Sequence, residues 1–258
     1  MIIENPTLMI SKELLNDEFI TDKEITTYLV LQCIATSKFE NIICSPKNMV
    51  DSLTGVDPSN RFANESIFNL DTRGYVKIQK LSNMLFKINI DSLKIPEEKS
   101  FVNVDYDDFI RLLKRKQKNK HAVIRYYCGL VGTINYNSNI NGNKNVTSRR
   151  PLAYLAAMMN CDITTVLTYN KVLEDMHIIY INRTNRVITD SSGKKYRDAN
   201  VYGLYKNKQY IIQSANNKRD ESGRKYAALY NQMKKGKHYT PEIEKKVMDY
   251  INKRDTLA

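Results

Sequence analysis

A group of short polar side chains follows Asp162 at helical spacing, and its members share chemistry suited to a nucleic-acid surface. They are Thr164, Thr165, Thr168 and Lys171. On a helix these positions form an outer face that carries no acid before Asp175. Threonine offers a hydroxyl and a methyl group at short reach, and lysine offers a cation, so the face suits base edges and phosphates in a major groove. We predict that this helix contacts double-stranded DNA.

Two short helices joined by a tight turn are predicted to hold this face in place. In "RPLAYLAAMMNCDITTVLTYNKVLEDMHIIYINR", residues 150–183, the turn "NCD" separates them, and the Asp162 side chain is placed to cap the second helix. The apolar positions assigned to the core of the first helix are Leu152, Leu155, Ala156 and Met159. Those assigned to the core of the second are Ile163, Val166, Leu167, Leu173 and Met176.

Basic side chains surround this helical pair and are predicted to contact phosphates. The stretch "IIYINR" and the return stretch "NVYGLYKN", residues 200–207, are predicted to form a strand pair. The cations before and within this strand-pair region are Arg149, Arg150, Arg183, Arg186, Lys194, Lys195 and Arg197. Residues 111–121 add six basic residues without an acid, among them Lys114, Arg115, Lys116 and Lys118. That run is either a solvated charged face or a track for backbone phosphates, and both interpretations stand.

Charge is divided unevenly along the chain. The net charge is +12 over 258 residues, yet residues 1–110 sum to −6 and residues 111–258 to +18. A basic surface attracts polyanions, of which nucleic acid is the commonest in a cell. The acidic half is not expected to grip phosphates.

The element order of the acidic half is predicted to recur in the basic half. Residues 19–37 begin with a capping box, Thr21 and Glu24, and continue at helical spacing. The strand "NIICS", the helix "KNMVDSLTG", a helix ending at Gly74 and the strands "YVKIQKL" and "NMLFKINID" follow. Helices over "DYDDFIRLLKRKQKN" and "HAVIRYYCGLVGTI" and a polar Asn-rich loop, residues 135–147, open the second round.

This layout resembles that of winged helix-turn-helix proteins. It is similar in particular to the tandem winged-helix replication initiators of plasmids and phages, and to primosome proteins of the DnaD type, from low-GC Gram-positive bacteria. The resemblance implies a mainly α fold with small β hairpins (α+β). It implies an acidic winged-helix-like domain over residues 1–100 and a basic winged-helix DNA-binding domain over 101–213. Residues 214–258, which are rich in charged and turn-forming residues, are expected to form a basic helical or partly disordered tail.

The same resemblance implies a function in DNA replication. One winged helix would serve homodimerisation or partner binding, and the other would bind repeated sites on double-stranded DNA, with replication proteins as further partners. A transcriptional regulator is the near alternative. The second alternative is a non-enzymatic protein-interaction adaptor or loader, whose basic tail would bind nucleic acid without sequence preference.

Residues for catalysis or for a metal are not evident, so no enzymatic activity, cofactor or metal site is expected. "SSGKKY" and "KKGKHY" lack the upstream Gly and the following Ser or Thr of a phosphate-binding loop. The three histidines and four cysteines are scattered, which predicts free thiols. The acidic cluster "DYDD", residues 105–108, is interpreted as a first helical turn. Without a membrane span or signal peptide in its pattern, the chain is expected to be cytoplasmic.

Overall fold

The computed structural model describes eleven ranges and two single residues of the chain. These are residues 7–34, 42–44, 60–82, 86–90, 101–116, 118–136, 146–183, 187–189, 195–197, 199–216, 229, 233 and 238–255. Three predicted segments fall mainly outside them: the helix "KNMVDSLTG", the Asn-rich loop and the tail helix "RKYAALYNQMKK".

The described residues form an α+β architecture of helices and small antiparallel sheets. The helices are α1 (Lys12–Asn16), α2 (Asp22–Ile34), α3 (Asn60–Thr72), α4 (Tyr106–Leu113), α5 (Lys120–Tyr136), α6 (Leu152–Met158), α7 (Ile163–Asp175), α8 (Lys208–Asn216) and α9 (Pro241–Asp255). The strands are β1 (Thr7–Ser11), β2 (Ile42–Cys44), β3 (Val76–Lys80), β4 (Phe86–Ile90), β5 (Phe101–Asp105), β6 (Ser148–Arg149), β7 (Ile179–Asn182), β8 (Val187–Thr189), β9 (Lys195–Arg197) and β10 (Val201–Leu204). The region therefore combines both element types, as expected.

Helix boundaries follow local signals in the sequence. At the start of α2, the Thr21 amide donates to Glu24 Oε2 at 2.7 Å and the Glu24 amide donates to Thr21 Oγ1 at 3.3 Å. This is the predicted capping box, and it satisfies two amides that the helix itself leaves free. After α3, Gly74 has a φ of 76°, a left-handed conformation that glycine adopts without a side-chain clash. Both boundaries confirm the prediction.

Two three-stranded sheets share one connectivity. Their strand orders are β2-β4-β3 and β6-β10-β7, so in each sheet the last strand in sequence lies between the other two. In the second sheet, β10 pairs antiparallel with β7, with Val201 opposite Asn182, which confirms the predicted return strand. In the acidic half, α2 precedes β2 and α3 precedes β3. In the basic half, α5 precedes β6 and α7 precedes β7. The described order helix, strand, helix and two paired strands thus recurs in the basic half, which adds α6 and the strands β8 and β9 to it.

A further strand pair connects the beginning of the chain to its middle. β1 pairs antiparallel with β5 from Thr7 opposite Asp105 to Ser11 opposite Phe101. Both strands alternate buried and more exposed residues, as half-covered strands do. Neither strand was predicted, although "FVNVD" shows this alternation clearly.

The main hydrophobic core is continuous between the two halves. Leu29 of α2 and Tyr126 and Tyr127 of α5 are fully buried in one cluster. The guanidinium of Arg125 on α5 donates to the backbone oxygens of Ile20 at 2.6 Å and Leu15 at 2.9 Å. These contacts hold the α1–α2 connection against α5, and a guanidinium suits the role because its donors are arranged as a rigid fork.

The C-terminal part of the described chain contributes two helices. α8 begins before residue 214 and packs on the second three-stranded sheet, where Ile211 and Val201 are both fully buried. α9 covers the predicted segment "PEIEKKVMDYINKRD". Within the described ranges, no helix combines the length and apolar character required to cross a membrane.

Candidate nucleic-acid interface

The turn between α6 and α7 is closed by the residue predicted to cap it. Asp162 Oδ1 accepts from the Thr165 amide at 2.6 Å, and Asp162 Oδ2 accepts from the Thr165 hydroxyl at 3.1 Å. The Thr164 hydroxyl also donates to this carboxylate. These hydrogen bonds lower the pKa of Asp162. The largest effect comes from the Thr164 side chain, and the next largest comes from the Thr165 amide. The predicted cap is confirmed, and it holds the start of α7 at the helix-to-helix corner.

The four residues singled out from the sequence lie along one side of α7. Thr164, Thr168 and Lys171 are exposed, and Thr165 is half-buried. The hydroxyl of Thr168 donates to the backbone oxygen of Thr164 at 2.9 Å. Because carboxylate and carbonyl oxygens only accept, the hydroxyl protons of all three threonines are used within the helix. What the threonines present outward is therefore mainly methyl groups and acceptor lone pairs.

Two residues assigned to the core lie instead on the outer face of α7. Ile163 is 44% exposed and Leu167 is 45% exposed, whereas Val166, Asn170 and Leu173 are buried. Positions 166, 170 and 173 follow the i, i+4, i+7 spacing of one helical face, and that face is turned to the core. The inward assignment of Ile163 and Leu167 was wrong, and the prediction also overlooked two buried residues of this helix, Asn170 and Val172.

Asn170 anchors α7 to α5. The Tyr126 hydroxyl donates to Asn170 Oδ1 at 2.7 Å, and both residues are almost completely inaccessible to solvent. Burial is the main cause that raises the pKa of Tyr126, and the neighbouring Tyr202 raises it further. The phenol therefore stays protonated and continues to donate. A buried polar pair with its hydrogen bond made fixes one orientation of the helix. The sequence signal was available, since Asn170 lies one turn after Val166.

The end of α7 is held by two arginines from the basic run. The Arg111 guanidinium donates to the Met176 backbone oxygen, and Arg115 Nη1 approaches the Val172 backbone oxygen at 3.5 Å. Cations at a helix C-terminus complement free carbonyls and the helix dipole. Arg115 therefore has a structural contact that the sequence did not reveal. The α4 helix ends at Leu113, and the other predicted cations here, Lys114, Lys116 and Lys118, are exposed.

The base of the strand pair is tied to α7 by an ion pair. Arg183 Nη1 donates to Glu174 Oε1 at 2.8 Å, and Arg183 Nη2 contacts Glu174 Oε2. The hydrogen bond with Glu174 raises the pKa of Arg183. Arg186 and Lys194 lie outside the described residues. Lys195 and Arg197 belong to β9, which pairs with β8 with Thr189 opposite Lys195 and Val187 opposite Arg197.

The remaining predicted cations lie at the start of α6. Arg149 and Arg150 are half-buried at the end of β6. The Arg150 guanidinium lies 4.8 Å from the centroid of the Tyr154 ring, within reach of a cation–π contact. Its Nε is buried without a hydrogen-bond partner. This arginine packs on an exposed aromatic ring at the surface of α6.

The acidic cluster at residues 105–108 has the helix-capping geometry predicted for it. Asp105 caps α4 by accepting from the amides of Asp107 at 3.1 Å and Asp108 at 3.3 Å, and it accepts from Lys206 Nζ at 2.8 Å. Burial works to raise the pKa of Asp105, but the Lys206 contact and these amides together lower it. Asp108 accepts from the Tyr127 hydroxyl at 3.1 Å. Asp105 thus holds the start of α4, and Asp108 connects α4 to Tyr127 of α5.

The described residues contain no group of three or more potential metal ligands. Cys33, Cys128 and Cys161 are free thiols. Burial raises the pKa of Cys33 and of Cys128 to about 12, which keeps both protonated and unreactive at neutral pH.

No protein-family model matches the chain, and comparison with curated proteins gives no match either. A fold does not determine a function by itself, so function has to be inferred from the side chains of α7 and their surroundings.

Proposed function

We propose that the chain is a sequence-specific double-stranded DNA-binding protein built from two winged-helix units in tandem. The proposal is supported by the repeated strand orders β2-β4-β3 and β6-β10-β7, each with a helix leading into its outer hairpin. In a winged helix, that leading helix enters the major groove and the hairpin contacts the adjacent backbone. In the second unit these elements are α7 and the strands β7 and β10.

The observation that carries the proposal is the outer face of α7. It presents Lys171, Thr164 and Thr168 to solvent in the half of the chain that has a net charge of +18. The nearest acid toward the helix end, Glu174, is paired with Arg183. The Asp162 carboxylate at the N-cap accepts hydrogen bonds from Thr164 and Thr165, so between the cap and Asp175 the face carries no acid without a partner to repel a phosphate backbone.

The first unit is proposed to bind protein. The corresponding helix, α3, exposes Glu65 and Phe68, an acid and an aromatic ring where a DNA-reading helix would carry cations. An exposed aromatic ring is typical of protein interfaces. We propose that this unit mediates homodimerisation or partner binding and that the protein acts as a replication initiator of a plasmid, phage or other mobile element.

The test is specific binding across a salt series. The purified protein is mixed with fragments of its own genomic neighbourhood and excess nonspecific DNA, and retention is followed by mobility shift. Retention of one fragment, above all one with repeats beside an AT-rich segment, is expected. Lys171→Ala should reduce the slope of log affinity against log salt by about one. Lys77→Ala, at an exposed lysine of the acidic half, should leave it unchanged.

A protein-interaction adaptor is the competing function, and the exposed aromatic residues of the acidic half favour it. Phe19 is 65% exposed and Phe68 is 48% exposed. In an adaptor, truncation before Ser214 would abolish DNA binding, whereas Thr168→Ala and Lys171→Ala would not matter. The proposed initiator requires the reverse, and uniform binding to all fragments would refute it.

A further inference from the structure

We infer that the α7 face reads thymine methyl groups through Leu167 and Ile163, so that the preferred duplex has A·T pairs under this helix. The inference rests on the proposed function, because it names the bases that the same face selects.

The first observation is the placement of the two side chains. Ile163 and Leu167 are one turn apart on α7 and nearly half exposed. Leu167 is itself one turn before Lys171, which is exposed as well. Residues at i and i+4 are neighbours on a helix surface, so Ile163, Leu167 and Lys171 form one line along it. The lysine gives this line its affinity for a polyanion, which favours DNA over an uncharged protein groove.

The second observation is the state of the hydrogen-bonding groups beside that line. The hydroxyl protons of Thr164 and Thr165 are donated to Asp162, and that of Thr168 is donated to a backbone oxygen. Asn170 is buried and bonded to Tyr126. The groups left for contact in the first two turns are therefore aliphatic side chains, threonine methyls and the acceptor lone pairs of the threonine hydroxyls, with Lys171 as the donor that follows them.

The bases differ in what they require of such a face. Guanine is usually read by a bidentate arginine or lysine, adenine by an asparagine or glutamine, and cytosine by an acid. Base contacts come mainly from the N-terminal part of a reading helix. The acid there, Asp162, already accepts hydrogen bonds from Thr164 and Thr165. Glu174 is paired with Arg183, and Asp175 lies at the far end of the helix. Thymine alone presents a methyl group in the major groove, and an apolar side chain is its complement.

The test removes the methyl groups from the DNA. The fragment retained by the protein is synthesised twice, once with thymine and once with uracil, which lacks the 5-methyl group and keeps the same base pairing. Wild-type protein is expected to bind the uracil fragment more weakly, by roughly fourfold for each methyl group removed from a contact. Leu167→Ala should bind the thymine fragment more weakly and should distinguish the two fragments less than wild type does.

Two controls separate the outcomes. Leu81→Ala removes a leucine that is 48% exposed in the other half, and it should keep the full preference for thymine. Leu167→Ser removes the apolar end without adding an amide that could read adenine, so it serves if the alanine variant fails to show a native melting curve. Equal binding of both fragments by wild type, or an unaltered preference in both Leu167 variants, overturns the inference. If the protein retains no fragment specifically, the proposed function itself fails.

Discussion

Loss of the Tyr126 hydroxyl should destabilise the protein, because it removes a buried hydrogen bond to Asn170 on α7. The hydroxyl donates to Asn170 Oδ1 at 2.7 Å, and the exposed fractions of the two residues are 0% and 2%. Removing one partner of a buried hydrogen bond costs about 1–3 kcal/mol, since water cannot replace it. In a chain of this length, each kcal/mol corresponds to about 2–4 °C in the melting temperature. Tyr126→Phe should therefore melt at least about 2 °C lower.

The assay is urea unfolding of the single and double variants. Asn170→Leu removes the acceptor, and the double variant Tyr126→Phe with Asn170→Leu replaces both partners by apolar groups. Its loss should be smaller than the sum of the two single losses by about 0.5–3 kcal/mol. Tyr154→Phe is the matched control, because Tyr154 is 44% exposed on α6, and it should change the free energy of unfolding by less than about 0.5 kcal/mol. Strictly additive losses, or equal effects of the two Tyr→Phe changes, would refute the reasoning.

Three further changes test other contacts. Burial, with two neighbouring lysines, lowers the pKa of His121 to about 4. Stability from this neutral side chain is present above pH ~6.5 and is lost as the pH falls toward 4. Wild type should lose about 1 kcal/mol more than His121→Gln between pH 7 and pH 5 in urea unfolding, after allowance for partial solvent exposure. Glu174→Gln removes the carboxylate paired with Arg183, so DNA binding should become tighter and its salt slope steeper by about one; an unchanged slope would exclude Arg183 from phosphate contact. Gly203→Ala should lower the melting temperature, because the added carbon would lie 2.8 Å from the Val146 backbone oxygen. Gly129→Ala would meet only the flexible ends of Met158 and Met159, so it should lower the melting temperature less.

Features that depend on neighbours in sequence were predictable. The capping box of Thr21 and Glu24, the Asp162 cap and the turn at Gly74 each involve residues within a few positions of one another. Their partners meet whenever the helix forms, so the sequence determines them locally. The division of charge between the halves is likewise a property of the sequence alone. It indicated that a phosphate-binding surface would lie in the half that contains α7.

Features that depend on partners far apart in the chain were decided by the tertiary structure. The pairing of β1 with β5 joins residues almost a hundred positions apart, and Arg125 reaches the backbone of Leu15. The sequence could not show that Arg115 would approach a carbonyl of α7. Such contacts depend on how the elements pack, which local propensity does not specify.

The outer face of α7 depends partly on the local sequence and partly on the tertiary structure. The sequence determined that Thr164, Thr168 and Lys171 share a helical face, because the 3.6-residue period fixes their relative directions. It did not determine which side of the helix would meet the core. The face that carries Val166, Asn170 and Leu173 is turned to the core, where Asn170 accepts from Tyr126, and Leu167 is turned to solvent. A polar residue was buried and an apolar one exposed because the donor for Asn170 comes from another helix.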